Sequence, residues 1–244
     1  MRRRDGRAGG GPQVVFVHGS MDRGAGMART MSALPDLDVV RYDRRGYGGS
    51  EGVAEVCGIE GHVDDLLSVL DGRPSVVVGH SFGGIVGLTA ATREPSVVLA
   101  VASFEAPMPW VPWWPGSTPG GAAAAAGGDG AAAAEGFLRR MLGDERWESL
   151  PGREKRLREG AALIAEITSV RSGDGPYDPD TVPVPVVSGR GTCSAAHLQR
   201  AAGELADRAP NAELVVIDGA DHGAHLSHPV EFAAFARRAV DAAR

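Results

Sequence analysis

The stretch Val76-Val77-Val78-Gly79-His80-Ser81-Phe82-Gly83-Gly84-Ile85-Val86-Gly87 constrains this chain more than any other. A short run of β-branched residues reads as a buried strand, and the apolar residues after Ser81 read as a helix, so the serine sits where one turns abruptly into the other. Such a turn brings backbone against backbone, and a Cβ at Gly79 or Gly83 would collide with neighbouring chain. Ser81 then projects into open space above the sheet edge. The Phe82 amide, first of the new helix, points into the same space and can receive developing negative charge. Strand–Gly-x-Ser-x-Gly–helix is the context of a nucleophilic serine. The chain carries its own control. Gly48-Gly49-Ser50-Glu51-Gly52 has the same glycine spacing, but no strand runs directly into it and no helical pattern leaves it, so Ser50 reads as a loop residue.

Other segments fall into the same frame in order. Val14-Val15-Phe16-Val17 is a four-residue apolar run ending in His18-Gly19-Ser20. A strand at Leu37–Tyr42 leads into Asp43-Arg44-Arg45-Gly46-Tyr47-Gly48-Gly49-Ser50. Leu214-Val215-Val216-Ile217 leads into Asp218-Gly219-Ala220-Asp221-His222, with Pro229 seven residues beyond the histidine.

On these four motifs the chain resembles the α/β-hydrolase superfamily of serine esterases, lipases and acyl transferases, from about Val14 to the C-terminus apart from the middle. The resemblance implies a doubly wound, mainly parallel sheet, with the reactive residues on loops at the C-terminal ends of strands. It implies His222 as the catalytic base and the Ser20 amide as the partner of Phe82 in an oxyanion hole. Family members begin with two further antiparallel strands. Here 13 residues precede Val14 and the stretch Gly6–Pro12 is mostly glycine, so those strands should be reduced or absent and the sheet should hold about six parallel strands. They are expected near Val14–His18, Val39–Asp43, Val76–His80, Val97–Ala102, Val184–Ser188 and Leu214–Ile217, with helices between them.

Composition limits the alternatives. At 244 residues, 43% apolar and 23% charged, this is an ordinary globular domain with room for an insertion. The formal charge of −6 offers no footprint for nucleic acid. No apolar run approaches the ~18 residues of a membrane span. The basic start, Met1–Asp5, is followed by glycine and not by an apolar core, which argues against a signal peptide and for the cytoplasm. Cys57 and Cys193 read as free thiols. No cysteine or histidine spacing suggests a metal site, and no cofactor is implied. Oligomeric state is not encoded in any of these patterns.

The core is expected over 1–105 and 183–244, with a helical cap over 106–182. About 80 residues without a strand candidate separate two strands that usually need only a handful. They open with Met108-Pro109-Trp110-Val111-Pro112-Trp113-Trp114-Pro115. Trp110, Trp113 and Trp114 would either line an apolar pocket or fasten the cap to the core. The Ala/Gly stretch from Gly116 to Gly136 reads as a hinge or linker, or as an alanine-rich helix interrupted by glycine.

The triad acid is the exception to the resemblance. Relatives carry it after the penultimate strand, where this chain reads Gly189-Arg190-Gly191-Thr192-Cys193-Ser194, with Thr192 in the acid's place. A second location in the superfamily, the end of the strand after the nucleophile helix, holds Glu105. Adjacent strands lie about 5 Å apart, so Glu105 can reach the same imidazole. Asp221, directly before His222, is poorly aimed at the ring. His225 and His228 read as packing or capping residues of the last helix.

The expected chemistry is cofactor-independent cleavage of a carboxylic ester, lactone or acyl thioester with an apolar part. Two alternatives stay open: acyl transfer or lyase chemistry at the same site, and a non-catalytic ligand-binding protein on a hydrolase scaffold.

Overall fold

The computed structural model describes residues 2–4, 11–171 and 173–244. The glycine-rich residues 6–10, on which the expected loss of the N-terminal strands partly rests, lie outside them. In chain order the strands are β1 (Arg2–Arg4), β2 (Gln13–Val17), β3 (Val39–Tyr42), β4 (Ser75–His80), β5 (Val98–Phe104), β6 (Val186–Gly191) and β7 (Ala212–Ile217). They form one sheet in the order β1-β3-β2-β4-β5-β6-β7. The six strands from β2 to β7 are parallel, as the sequence predicts. The sheet gains a three-residue antiparallel edge, β1 on β3, that the sequence reading did not include.

Between β2 and β5 lie α1 (Ala28–Ser32), α2 (Ile59–Leu70) and α3 (Phe82–Arg93). Five helices follow between β5 and β6: α4 (Pro119–Ala124), α5 (Gly130–Leu142), α6 (Asp144–Glu148), α7 (Arg153–Arg158) and α8 (Gly160–Arg171). The chain closes with α9 (Ala196–Arg208), α10 (Ala224–Ser227) and α11 (Pro229–Ala242).

Strand alternation decides which side chains feed which layer. Val15, Val17, Val77 and Val101 point to the core shared with α2, α3 and α9. Val14, Phe16, Val76 and Val78 point to the opposite core, completed by Phe232 and Phe235 of α11. A third apolar cluster joins α5, α6 and α8 around Trp147, Leu138 and Leu163, and reaches the core through Met21 and Tyr47. The chain passes from β2 outward to β3 and then back across to β4 on β2's other side. The crevice at the carboxyl ends of β2 and β4 is therefore the topological switch point, where ligands bind in sheets of this type.

The Ala/Gly stretch is largely helical, which favours the interrupted alanine-rich helix over the hinge or linker. Thr118 accepts from the Gly121 amide with Pro119 in the first turn, and Asp129 accepts from the Ala132 amide, so each helix has its N-terminal cap. Glycines 127 and 128 take positive φ in the turn between them. The helical pattern that runs from Glu154 to Val170 is broken into α7 and α8. Gly160 and Gly130 meet there so closely that a Cβ on Gly160 would overlap the Gly130 carbonyl; glycine at both positions lets α5 and α8 cross in backbone contact.

Candidate active site

Ser81 stands between β4 and α3 with φ 54° and ψ −123°, a conformation that costs a non-glycine residue about 1–3 kcal/mol. The glycines do what the sequence requires of them: a Cβ on Gly79 would meet the Gly83 carbonyl, and one on Gly83 would meet the Val17 carbonyl. The Ser81 amide is tied to the Phe104 carbonyl at 2.9 Å, which couples the turn to the end of β5. The His18–Ser20 turn after β2 is pressed against the same spot, since a Cβ on Gly19 would lie 3.0 Å from Ser81 Cβ.

Glu105 follows β5 directly, at φ 49°, and is fully buried. Its two oxygens face different partners. Oε1 accepts from the Gly191 amide at 2.8 Å, and Oε2 lies 2.7 Å from His222 Nδ1. A carboxylate only accepts, so Nδ1 carries the hydrogen of that bond, and in the neutral ring Nε2 keeps its lone pair.

His222 is also fixed through its backbone. His80 Nε2 lies 2.7 Å from the His222 carbonyl. Burial first, then the neighbouring His225 and His222, hold the His80 imidazole well below its usual pKa, so the ring is neutral and donates this bond. The rings of His222, His80 and His225 follow one another with centroids 4.6 and 4.3 Å apart. His225 Nε2 bonds Asp22 at 3.1 Å. Burial pushes the Asp22 carboxyl up, but the bond and charge of His225 outweigh it and leave the group below the ordinary carboxylate range.

A cavity of about 90 Å³ opens over these groups, lined by Ser20, Ser81, Phe82 and His222 on the core side. Phe137 and Met141 of α5 and Ile167 of α8 line its opposite wall. The i, i+4 spacing of Phe137 and Met141 was the available sequence signal for that wall. Trp114 also lines the cavity and meets His197 edge-on at 4.8 Å.

Trp110 and Trp113 are corrected: neither lines the cavity. Trp110 packs edge-on against Tyr177 at 5.4 Å. The Trp113 indole N–H donates to Glu204 at 3.1 Å, and the Arg200 guanidinium lies 4.1 Å over its ring. A buried indole needs an acceptor for its N–H, and α9 provides one for Trp113 away from the cavity.

The remaining candidates have other partners. Ser50 donates to the Asp43 carbonyl at 2.8 Å. Asp221 accepts from the Gly223 amide. Thr192 accepts from the Gly219 amide at 2.8 Å and bonds Asp218 at 3.2 Å. His228 bonds its neighbour Ser227. Both cysteines are free. Asp22, His80 and His225, and separately Cys57, His62 and Asp65, bring possible metal-ligand atoms within 4.8 Å of one another. In each set a histidine is bonded to a carboxylate, His225 to Asp22 and His62 to Glu166, and Asp65 pairs with Arg45.

A buried ionic cluster beside the site was not anticipated. Glu166 of α8 and Arg44 after β3 pair with no exposed surface. The signal available for it is the lone charged residue in the run Ala161–Val170, apolar apart from Thr168 and Ser169, since a charge in such a run must find a partner.

The alpha/beta hydrolase family profile matches residues 14–235. A lipase of Mycobacterium tuberculosis, LipV, is 35% identical over 95 residues, which is 38% of this chain and 36% of the lipase; the chain thus matches little more than a third of that relative's length. An enol-lactonase from Burkholderia xenovorans LB400 superposes with a TM-score of 0.73 at 24% identity, over 99% of this chain and 95% of the lactonase. An alpha/beta hydrolase from Sphaerobacter thermophilus superposes at 0.71 and 26% identity, over 95% of both chains. The chain belongs to the alpha/beta hydrolase family. No described helix is long and apolar enough to cross a membrane.

Proposed function

We propose that this member of the family is a serine hydrolase that cleaves a carboxylic ester, lactone or acyl thioester through an acyl-enzyme. Ser81 Oγ attacks the carbonyl carbon while His222 Nε2 takes the hydroxyl proton. Glu105 holds the ring so that Nε2 faces the nucleophile, and it stabilises the imidazolium that forms. The Ser20 and Phe82 amides receive the oxyanion, each such donor being worth about 3–4 kcal/mol in the transition state. His222 returns the proton to the leaving oxygen or sulfur, then activates the water that releases the acid. The residues over 106–182 act as the cap, with Trp114, Phe137, Met141 and Ile167 against the acyl or alcohol part.

The observation that carries this reading is the bond from Glu105 to His222. Thr192 replaces the usual acid, and without a carboxylate on its Nδ1 side His222 would be a weak base and a non-catalytic scaffold the better reading; a buried carboxylate at 2.7 Å removes that reason. Size narrows the substrate. A closed apolar cavity of about 150 Å³ holds a benzene ring; this one, of about 90 Å³ and open to solvent, encloses a short acyl chain or part of a small lactone.

The test is a fluorophosphonate probe, which labels an activated serine only, together with p-nitrophenyl esters of graded chain length and a panel of lactones. Labelling at Ser81 with turnover of short esters is the expected result. An unlabelled Ser81 and no hydrolysis across the panel would sink the proposal.

A further inference from the structure

Glu166, on α8, the last of the inserted helices, is a fully buried carboxylate outside the proposed triad. Four donors converge on it. Arg44 and His62 address Oε1, the histidine at 3.1 Å. The Tyr47 hydroxyl at 2.9 Å and the Ser20 hydroxyl at 2.6 Å address Oε2. Burial pushes this carboxyl up, yet the Arg44 charge and the His62 bond bring it down to about 2. Arg44 also grips the turn that carries Ser20. Its Nε donates to the His18 carbonyl at 2.8 Å, and its amide donates to His18 Nε2 at 2.9 Å.

We propose that Glu166 is a positioning residue for the oxyanion hole: by accepting the Ser20 hydroxyl it fixes the His18–Ser20 turn so that the Ser20 amide stays aimed at the reacting oxygen. The inference rests on the serine-hydrolase reading above. Two physical facts favour this role over simple cohesion. A buried ion pair is often no more stabilising than apolar side chains of the same volume, so cohesion does not call for a carboxylate here. Among the side chains bonded to Glu166, Ser20 is the one that lines the cavity with Ser81, and its short side chain passes any displacement of Glu166 straight to the backbone. A displacement of about 1 Å at a reacting group can cost about 10²-fold in rate. The arrangement also links the inserted helices to the transition state, because α8 carries Glu166 and the cavity residue Ile167 side by side.

The decisive variant is Ser20→Ala, which keeps the amide and removes only the tether. It should lower kcat about tenfold or more with KM within about twofold of the parent, and leave the melting temperature nearly unchanged, because the missing interaction acts in the transition state. Glu166→Gln keeps an acceptor for Ser20 and should retain more kcat than Glu166→Ala. Ser20→Ala should cost little further in the Glu166→Ala background, since the tether is already gone. If Glu166→Ala fails to fold, Ser20→Ala alone decides.

Fluorophosphonate labelling of the unmodified protein separates the two claims. A parent enzyme that labels and turns over, with Ser20→Ala at full kcat, overturns the positioning role alone. A rate loss that only follows the folded fraction overturns it too. A parent that neither labels nor turns over removes the hydrolase reading and this inference together.

Discussion

Replacing Glu105 with Gln changes one atom of the site and tests the triad directly. The side chain keeps its volume in a fully buried position, and its amide oxygen can still accept from Gly191, now 2.8 Å away. The amide nitrogen then faces His222 Nδ1, and as a donor it requires that nitrogen to be unprotonated. The hydrogen moves to Nε2, and the ring presents a donor to Ser81 where a base is needed. In Ser-His-Asp triads this wrong-tautomer substitution lowers kcat by about 10⁴, equivalent to about 5 kcal/mol of transition-state stabilisation. The fall should appear in kcat and kcat/KM alike, with KM nearly constant, in p-nitrophenyl butyrate hydrolysis, while the thermal transition moves little. Adding Thr192→Asp should recover little. The Thr192 hydroxyl lies 3.2 Å from Asp218, so a new carboxylate there meets an existing one, and like charges at that distance disfavour ionisation. A Glu105→Gln enzyme within tenfold of the parent kcat would refute the assignment of the acid and leave a Ser-His dyad.

Ser81→Ala should abolish turnover and probe labelling with the fold intact, whereas Ser50→Ala should match the parent in both; residual labelling of Ser81→Ala would move the nucleophile. Trp114→Ala should change kcat/KM more for butyrate than for acetate esters, because the lost contact scales with buried apolar area, while Trp110→Ala and Trp113→Ala should lower the melting temperature with the same rate ratio across chain lengths. Equal chain-length profiles for all three would remove Trp114 from the cavity wall. Acid should destabilise the protein through His18: burial, then the Arg44 charge, lower its pKa from 6.5 to about 4. The unfolded chain takes up this proton as pH falls through 6.5 and the folded chain does not until about 4, so stability present above 6.5 is lost between these values, about 3 kcal/mol for this group. Urea midpoints at pH 7 and 5 should register about 2 kcal/mol of it. His18→Gln should shrink the difference between them, and an unchanged difference would show that other groups carry it.

The parallel sheet and the turn that carries Ser81 could be read from the chain because each depends on local pattern, β-branched runs and glycines where backbones touch, whereas His222 and Glu105 are reached through the family resemblance. The tryptophans could not be resolved that way. Trp110, Trp113 and Trp114 are near neighbours in sequence and alike in composition, and only the acceptor on α9 and the position of Tyr177 decide which ring faces the cavity. The Ala/Gly stretch was ambiguous for a related reason. Its glycines weaken helix propensity, and their packing value at the Gly130–Gly160 crossing exists only once α8 is in place. Glu166 escaped notice because its partners Ser20, Arg44, Tyr47 and His62 lie more than 100 residues away in sequence.

Ser81 and Glu105, two of the three proposed triad members, both hold positive φ without being glycine. The backbone would be more relaxed with glycine at either position, but the Glu105 carboxylate also satisfies the Gly191 amide, so it is at Ser81, whose side chain makes no cap bond, that folding does not favour the residue present. On the proposed serine-hydrolase reading, chemistry keeps Ser81 in place. A lineage released from catalysis should therefore drift first at Ser81, and should gain thermal tolerance as it loses turnover. An inactive Ser81→Gly protein that melts no lower than its parent would mark that route, and a lower melting point would close it.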